Sequence, residues 1–195
     1  MILDIWRNLR LALTLLVVLG LGYSLVLVGI GQILFPYQAN GSLIVQSGKV
    51  IGSALIGQSF TAPGYFHGRP SATLNAVSGK AQPYNADNSS GSNLGPTNPA
   101  LLSEIKANIA ALKGQVTGAM PANLVESSAS GLDPEITLQS ALAQVPAVAK
   151  ATGLDPAELR RLVAGETEEP LLGIYGPRRV NVLELNLALR QLEGR

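Results

Sequence analysis

At 195 residues, with 47% hydrophobic and only 14% charged residues, the chain is more apolar than an average soluble domain. A net charge of +1 with scattered basic residues leaves no electrostatic footprint for nucleic acid. There is no cysteine, which excludes disulfides, so any folded domain rests on a hydrophobic core alone.

The apolar excess sits at the front. Residues 11–35 contain no Asp, Glu, Lys or Arg, and as a helix they would span roughly 37 Å, enough to cross a hydrocarbon core about 30 Å thick with some tilt. A cleaved signal peptide would have an apolar core of about 7–15 residues ending at a small-x-small site. Here the run is longer and leads into Leu34, Phe35, Pro36 and Tyr37, so a retained anchor is expected. Arg7 and Arg10 precede it, and the far flank has no basic residue until Lys49. The positive-inside rule then makes residues 1–10 a short cytoplasmic N-terminus, 11–35 a transmembrane helix and 36–195 an extracytoplasmic domain. Trp6 and Tyr37 stand near the two ends, as interfacial aromatics do. Gly20, Ser24 and Gly31 fall on one stripe with Leu27, and small residues of this kind let a partner helix approach closely in lipid.

Beyond Pro36, residues 43–58 read as two short strands around a Ser47-Gly48 turn. Residues 61–97 are rich in Gly, Ser, Asn, Pro and Ala but punctuated by aromatics, Tyr65, Phe66 and Tyr84 among them, which disordered linkers lack. Asn98 as cap and Pro99 at the first helical position start a helix to about Lys113, with Leu101, Leu102, Ile105, Ile109 and Leu112 at helical spacing. Leu124 and Val125 are assigned to a short strand. A second helix, 138–152, is capped by Thr137 and stopped at Gly153, with Pro146 forcing a kink or break. Asp155-Pro156 opens a third helix ending near Ala164. Leu171 to Tyr175 read as a strand, and Asn181 caps a last helix with Val182, Leu185, Leu189 and Leu192 inward. The fold class is α+β: one N-terminal membrane helix followed by a single α+β domain.

Catalytic constellations are sparse. His67 is the only histidine, no GxSxG elbow is present, and its neighbours Phe66, Gly68 and Arg69 suit a structural or interface role. Zinc chemistry lacks ligands. The polar run from Asp87 to Asn93 puts serine and glycine where a calcium loop needs acids or amides. Gly41 to Lys49 has the wrong spacing for a P-loop, with Val50 in place of the magnesium-binding hydroxyl. No carboxylate occurs between Asp4 and Asp87, while Lys49, Arg69 and Lys80 do, which makes this part weakly basic. Asn85, Asn93, Asn98, Asn181 and Asn186 stand beside Gly and Pro or at helix starts, where amides bond backbone groups.

Five motifs in order carry a resemblance: IGQSF (56–60), YFHGRPSA (65–72) with YN (84–85), SGSNLGPTNP (90–99), LVESSASGLDP (124–134) and RVNVLELNLAL (179–189). Together with the single membrane helix they make the chain similar to the C subunit of the Kdp-type potassium-transporting P-type ATPase. Glu126, Glu135 and Glu166 depart from that pattern, which favours threonine, histidine and histidine there, and Gly176-Pro177-Arg178 replaces Gly-Glu-Pro. The resemblance implies a non-catalytic accessory subunit of an ATP-driven potassium uptake pump in a bacterial or archaeal plasma membrane. Implied partners are a channel-like potassium-binding subunit, the ATP-hydrolysing P-type subunit and a very small single-helix subunit, besides membrane lipid. Potassium and ATP with magnesium are used by the complex, with no cofactor held by this chain; the family is also described as a chaperone that raises nucleotide affinity. A membrane-anchored extracytoplasmic hydrolase is the alternative. The ordering cost of a long Gly/Asn/Ser/Pro loop, about 1–2 kcal/mol per fixed residue, makes partner contacts a natural compensation. Residues 65–99 are therefore expected to meet the channel-like subunit near its potassium entrance, through Tyr65, Phe66, Arg69, Tyr84, Asn85, Ser92, Asn93 and Asn98.

Overall fold

The structure is a computed structural model and describes residues 2–194. It forms two compact units, divided between Ser53 and Ala54.

The first unit begins with unbroken helix. Helix α1 (Ile2–Leu15) runs into a π-helical segment (Leu16–Tyr23) and on into α2 (Ser24–Leu34). Helix thus starts well before Leu11, because Trp6, Arg7, Leu9 and Arg10 are good or tolerated helix residues and Asp4 lies 3.9 Å from Arg7 one turn on. The stretch Leu3–Leu34 has a mean hydropathy of 2.5 in its most apolar window, long and apolar enough to cross a membrane. The π segment, LVVLGLGY, differs from the plain helix the sequence predicts; it holds Gly20 and Gly22, two of the four glycines of the span and the weakest helix formers within the segment. Phe35 (φ −135°, ψ 53°) breaks the helix because a residue before proline is pushed out of the α region. Pro36 then opens a single turn, α3 (Pro36–Ala39). Strands β1 (Leu43–Gln46) and β2 (Lys49–Ser53) form an antiparallel hairpin closed by Ser47 (φ 52°) and Gly48 (φ 75°), both left-handed as a two-residue hairpin turn requires. The hairpin stops at Ser53, short of the expected Gln58.

The second unit is α+β. A three-stranded antiparallel sheet has the order β3 (Glu135–Thr137), β5 (Arg179–Asn181), β4 (Thr167–Glu168), with Ile136 opposite Val180. Helices α5 (Leu138–Thr152), α6 (Pro156–Gly165) and α7 (Val182–Leu192) bury Val145, Val148, Leu159, Val163, Leu185 and Leu189 with Ile136 and Val180. Expected caps are present: Thr137 accepts from Ser140 N, Asp155 from Ala157 N, and Asn181 from Leu183 N and Glu184 N. Gly153, at φ 78°, ends α5 as the left-handed stop residue. Pro146 does not break α5, which stays one element; beside it the Ala143 carbonyl accepts from both N and Oγ1 of Thr117.

One helix forms in its expected place but on the surface, and three expectations change. Helix α4 (Pro99–Ala111) forms where expected, with Ala100 N donating to Asn98 Oδ1, but no residue of it is fully buried and Leu102 is 56% exposed. Leu124 lies in a 3-10 turn (Ala122–Leu124), where it fills the core. Leu171 and Tyr175 are the ends of a tight turn joined by one bridge. Leu192 lies on the exposed side of α7.

Candidate functional site

Tyr84 is the point where the motifs converge. Its backbone is left-handed (φ 58°), an uncommon state for an aromatic residue, and its amide donates to Ser71 Oγ, 2.9 Å away. The ring passes between two glycines. A β-carbon on Gly57 would lie 2.5 Å from Tyr84 Cε1 and 2.8 Å from the Asp133 carbonyl, and one on Gly68 would lie 2.6 Å from Tyr84 Oη. Tyr84 Oη donates to the Arg69 carbonyl at 2.7 Å. Burial, reinforced by the Asp133 charge and opposed by Arg69, pushes the phenol up to about 12. The glycines of IGQSF and YFHGRPSA are therefore spaces for one tyrosine ring.

Arg69 extends the cluster. Its Nη1 donates to Asp133 Oδ2 at 3.0 Å and its Nη2 to the Ser127 carbonyl at 3.4 Å. Among the described residues its buried Nε has no hydrogen-bond partner. A cleft of about 310 Å³ opens beside it, lined by Arg69, His67, Asn108, Gln115 and Leu124 among others. His67 Nδ1 lies 2.6 Å from the Phe60 carbonyl, which can only accept, so the neutral ring carries its proton on Nδ1. Its backbone is held by Gln144, whose Oε1 accepts from His67 N at 2.8 Å.

The long irregular stretch is ordered from within. Ser71 Oγ donates to the Gly131 carbonyl, Thr73 Oγ1 to the Gln82 carbonyl, Asn85 Nδ2 to the Leu74 carbonyl and Ser89 Oγ to the Ser130 carbonyl, at 2.6–2.9 Å. Gly131 (φ 66°) admits this close packing, since a β-carbon there would lie 2.6 Å from the Ser90 carbonyl. Thus short polar side chains do for residues 65–91 what a sheet ladder does elsewhere: they satisfy the backbone.

The expected contact residues separate accordingly. Phe66 is fully buried in the core, its backbone clamped by Asn186, and Asn85 is 7% exposed with its amide spent inside, so neither side chain is on the surface. Tyr65 is half-buried, its ring centroid 5.6 Å from that of Phe60, and Arg69 and Tyr84 form the cluster above. Ser92, Asn93 and Asn98 remain at or near the surface; Asn93 is left-handed (φ 54°) and its Nδ2 donates to the Gly91 carbonyl. In the first unit Ser24 Oγ donates to the Gly20 carbonyl at 2.7 Å, and a β-carbon on Gly31 would meet Ala39 Cβ at 3.8 Å. Sequence reasoning missed Gly57, Gly131, Asp133 and Gln144; the first three had a signal, standing inside the motifs IGQSF and LVESSASGLDP.

A pair of carboxyls departs from the solvated state. Glu184 is raised by burial, with Glu166 and Glu168 adding to it. Glu135 is raised by burial, against Arg179, whose Nε lies 3.1 Å from Glu135 Oε1 and whose Nη2 lies 2.8 Å from Glu168 Oε2.

Comparison with known proteins finds the family that the motifs resemble. The family model described as "K+-transporting ATPase, c chain" matches residues 5–191. A potassium-transporting ATPase KdpC subunit of Rhodopseudomonas palustris strain TIE-1 is 52% identical over 183 residues, covering 91% of each chain. One from strain BisB18 is 54% identical with 93% of each chain covered, and one from Methylobacterium nodulans is 51% identical, covering 96% of this chain and 95% of the relative. By a match that spans the helix and the folded unit alike, the chain belongs to the KdpC family of K+-transporting ATPase c chains.

Proposed function

We propose that this chain is the accessory subunit of a high-affinity, ATP-driven potassium uptake pump, a subunit that assembles and stabilises the complex and carries out no catalysis of its own. The observation that carries this reading is the family match over residues 5–191, reinforced by relatives more than half identical that are named as subunits of the potassium-transporting ATPase. The geometry supports it. The motif residues that look most like chemistry are held within this chain: His67 Nδ1 by the Phe60 carbonyl, Arg69 by Asp133, and Tyr84 Oη by the Arg69 carbonyl. The alternative of an extracytoplasmic hydrolase is disfavoured by the same relatives.

The helix ending at Leu34 anchors the subunit in the plasma membrane, with Arg7 and Arg10 in the cytoplasm and residues beyond Pro36 outside. Its partners are the channel-like subunit, the ATP-hydrolysing subunit and the small single-helix subunit. Potassium and ATP with magnesium are handled by those partners; any rise in nucleotide affinity reaches the cytoplasm through a shared two-state change of the complex. Gly20, Ser24 and Gly31 lie on the side from which a partner helix approaches. The accessible part of the 65–99 region, Ser92, Asn93 and Asn98 with Tyr65 and Arg69 at its edge, faces the channel-like subunit near the potassium entrance.

The test is affinity purification of the full chain from native membranes. Retention of the ATP-hydrolysing and channel-like subunits in fixed proportion is expected; a chain that comes away alone under conditions that keep the pump active refutes the reading.

A further inference from the structure

The helix of the first unit is longer than the bilayer it is suited to cross. Leu3–Leu34 is 32 residues of unbroken helix, roughly 48 Å at about 1.5 Å per residue, against about 30 Å of hydrocarbon. Burying all of it would take a tilt of about 50°, beyond the range of about 0–40° that membrane helices adopt. The surplus belongs to the first residues, because the other end is marked. Phe35 and Pro36 stop the helix, and the side-chain amides of Gln32 and Asn40 bond each other at 3.0 and 3.4 Å, polar groups that belong at the water interface. Even at about 40° the hydrocarbon takes only about 26 residues counted back from Leu34. Residues 3–8 are left to a headgroup layer about 5–7 Å deep.

Those residues and the turn after them are two-faced. Ile5, Trp6, Leu9 and Leu13 recur at helical spacing on one side; Ile5 is 60% exposed, Trp6 59% and Leu9 44%. Asp4, Arg7, Asn8 and Arg10 share the opposite side, with Leu3 the one apolar residue among them. Arg7 lies 3.9 Å from Asp4 with its side chain 78% exposed, and among the described residues Arg10 has no ion-pair partner. Two arginines against one carboxylate leave this side net positive. An interfacial helix sets such a face against anionic headgroups while its apolar side rests on the acyl chains. Continuity names the same occupant: the helix is in lipid from the next turn onward, and tryptophan is enriched at that boundary.

We infer that residues 3–10 lie in the headgroup layer where a strongly tilted helix enters the bilayer, with Arg7 and Arg10 bound to the phosphates of anionic lipid. This rests on the reading above of the helix as a membrane anchor. The test uses Trp6, the only tryptophan of the chain. The full chain is reconstituted in vesicles of phosphatidylcholine with a minor fraction of phosphatidylglycerol, one lipid or the other carrying bromine at a known depth. Bromine near the headgroup is expected to quench Trp6 more than bromine at the chain ends or iodide in the water. Brominated phosphatidylglycerol is expected to quench more than brominated phosphatidylcholine, corresponding to at least about fivefold local enrichment, the contribution of one arginine near the surface. The enrichment falls to near one in Arg7→Gln with Arg10→Gln, persists in Arg7→Lys with Arg10→Lys, and shrinks at high salt. Stronger quenching by iodide or by the chain-end bromines, or no preference between the two lipids in wild type, overturns the inference. So does p-benzoylphenylalanine at Leu9 cross-linking to another protein rather than to lipid in native membranes, which would give the face to a protein partner. If the chain does not float with the vesicles, the membrane reading itself falls and the inference falls with it.

Discussion

Asn186 clamps Phe66 across 120 positions of sequence: its Oδ1 accepts from Phe66 N at 2.8 Å and its Nδ2 donates to the Phe66 carbonyl at 2.9 Å. The pair is buried, and it ties the YFHGRPSA motif to the RVNVLELNLAL motif in the manner of one sheet residue pairing with another. Asn186→Leu fits the volume but strands a buried N–H and a buried carbonyl, each costing about 1–3 kcal/mol. The expected loss of stability is about 2–4 kcal/mol, measured by denaturant unfolding of the full chain in detergent. A loss under about 0.5 kcal/mol, typical of a surface change, contradicts the clamp.

The two glycines around Tyr84 are expected to differ in how they can be rescued. Gly68→Ala clashes with Tyr84 Oη alone at short range, whereas Gly57→Ala meets both the ring and the Asp133 carbonyl. Each costs about 1–3 kcal/mol by overpacking. In a Tyr84→Phe background the cost of Gly68→Ala falls by more than half, because the nearest remaining ring atom is Cζ at 3.7 Å. The cost of Gly57→Ala does not. A double-mutant cycle on the thermal midpoint reads the difference, and equal rescue of both rules out this geometry.

Tyr84 is expected to stay protonated well beyond an ordinary tyrosine, to about pH 12. A phenol raised by folding stabilises the protein fully below its unfolded value near 10, and that contribution is lost as pH rises from there through the folded value. Ultraviolet titration of tyrosinate should therefore show a late-titrating group that disappears in Tyr84→Phe. Titration of every tyrosine near pH 10 in the folded chain would sink this point.

Glu184 has the same sign at the acid end. Its folded value is raised by burial and by Glu166 and Glu168, so stability from the protonated form is present below the unfolded value and is lost as pH rises through the folded one. Glu184→Gln should thus be more stable than wild type at pH 7, with the gap closing toward pH 4. A variant less stable than wild type at pH 7 would show that the ionised carboxylate is favoured in the fold.

The helix caps and the helix starts at Asn98, Thr137, Asp155 and Asn181 were legible because capping is local chemistry, readable from a few adjacent residues. The hairpin turn at Ser47-Gly48 was legible for the same reason. Burial in α4 was not: leucines at helical spacing state which face is apolar, not whether anything lies against it. The π-helical segment left no periodic signal in a stretch that is apolar on every side. The aromatics of the irregular stretch are legible as a sign of order, whereas the groups that satisfy its backbone are not. Thr73 and Asn85 bond carbonyls inside the stretch, and Ser71 and Ser89 bond the distant carbonyls of Gly131 and Ser130, and such pairings cannot be counted before the fold is known. Phe66 was misplaced by the same gap: an aromatic beside glycine is equally an anchor for a partner and a core residue, and here it is core.

As proposed above, this chain completes a potassium pump without doing its chemistry. The most direct measurement is potassium-stimulated ATP hydrolysis by the purified pump, prepared with and without this chain, next to the chain alone. The account predicts turnover by the complete complex, loss of most of it when the chain is left out and its return on adding the chain back, with none from the chain by itself. Full activity of the pump lacking this chain, or ATP turnover by the chain alone above a mock-purified control, would contradict it.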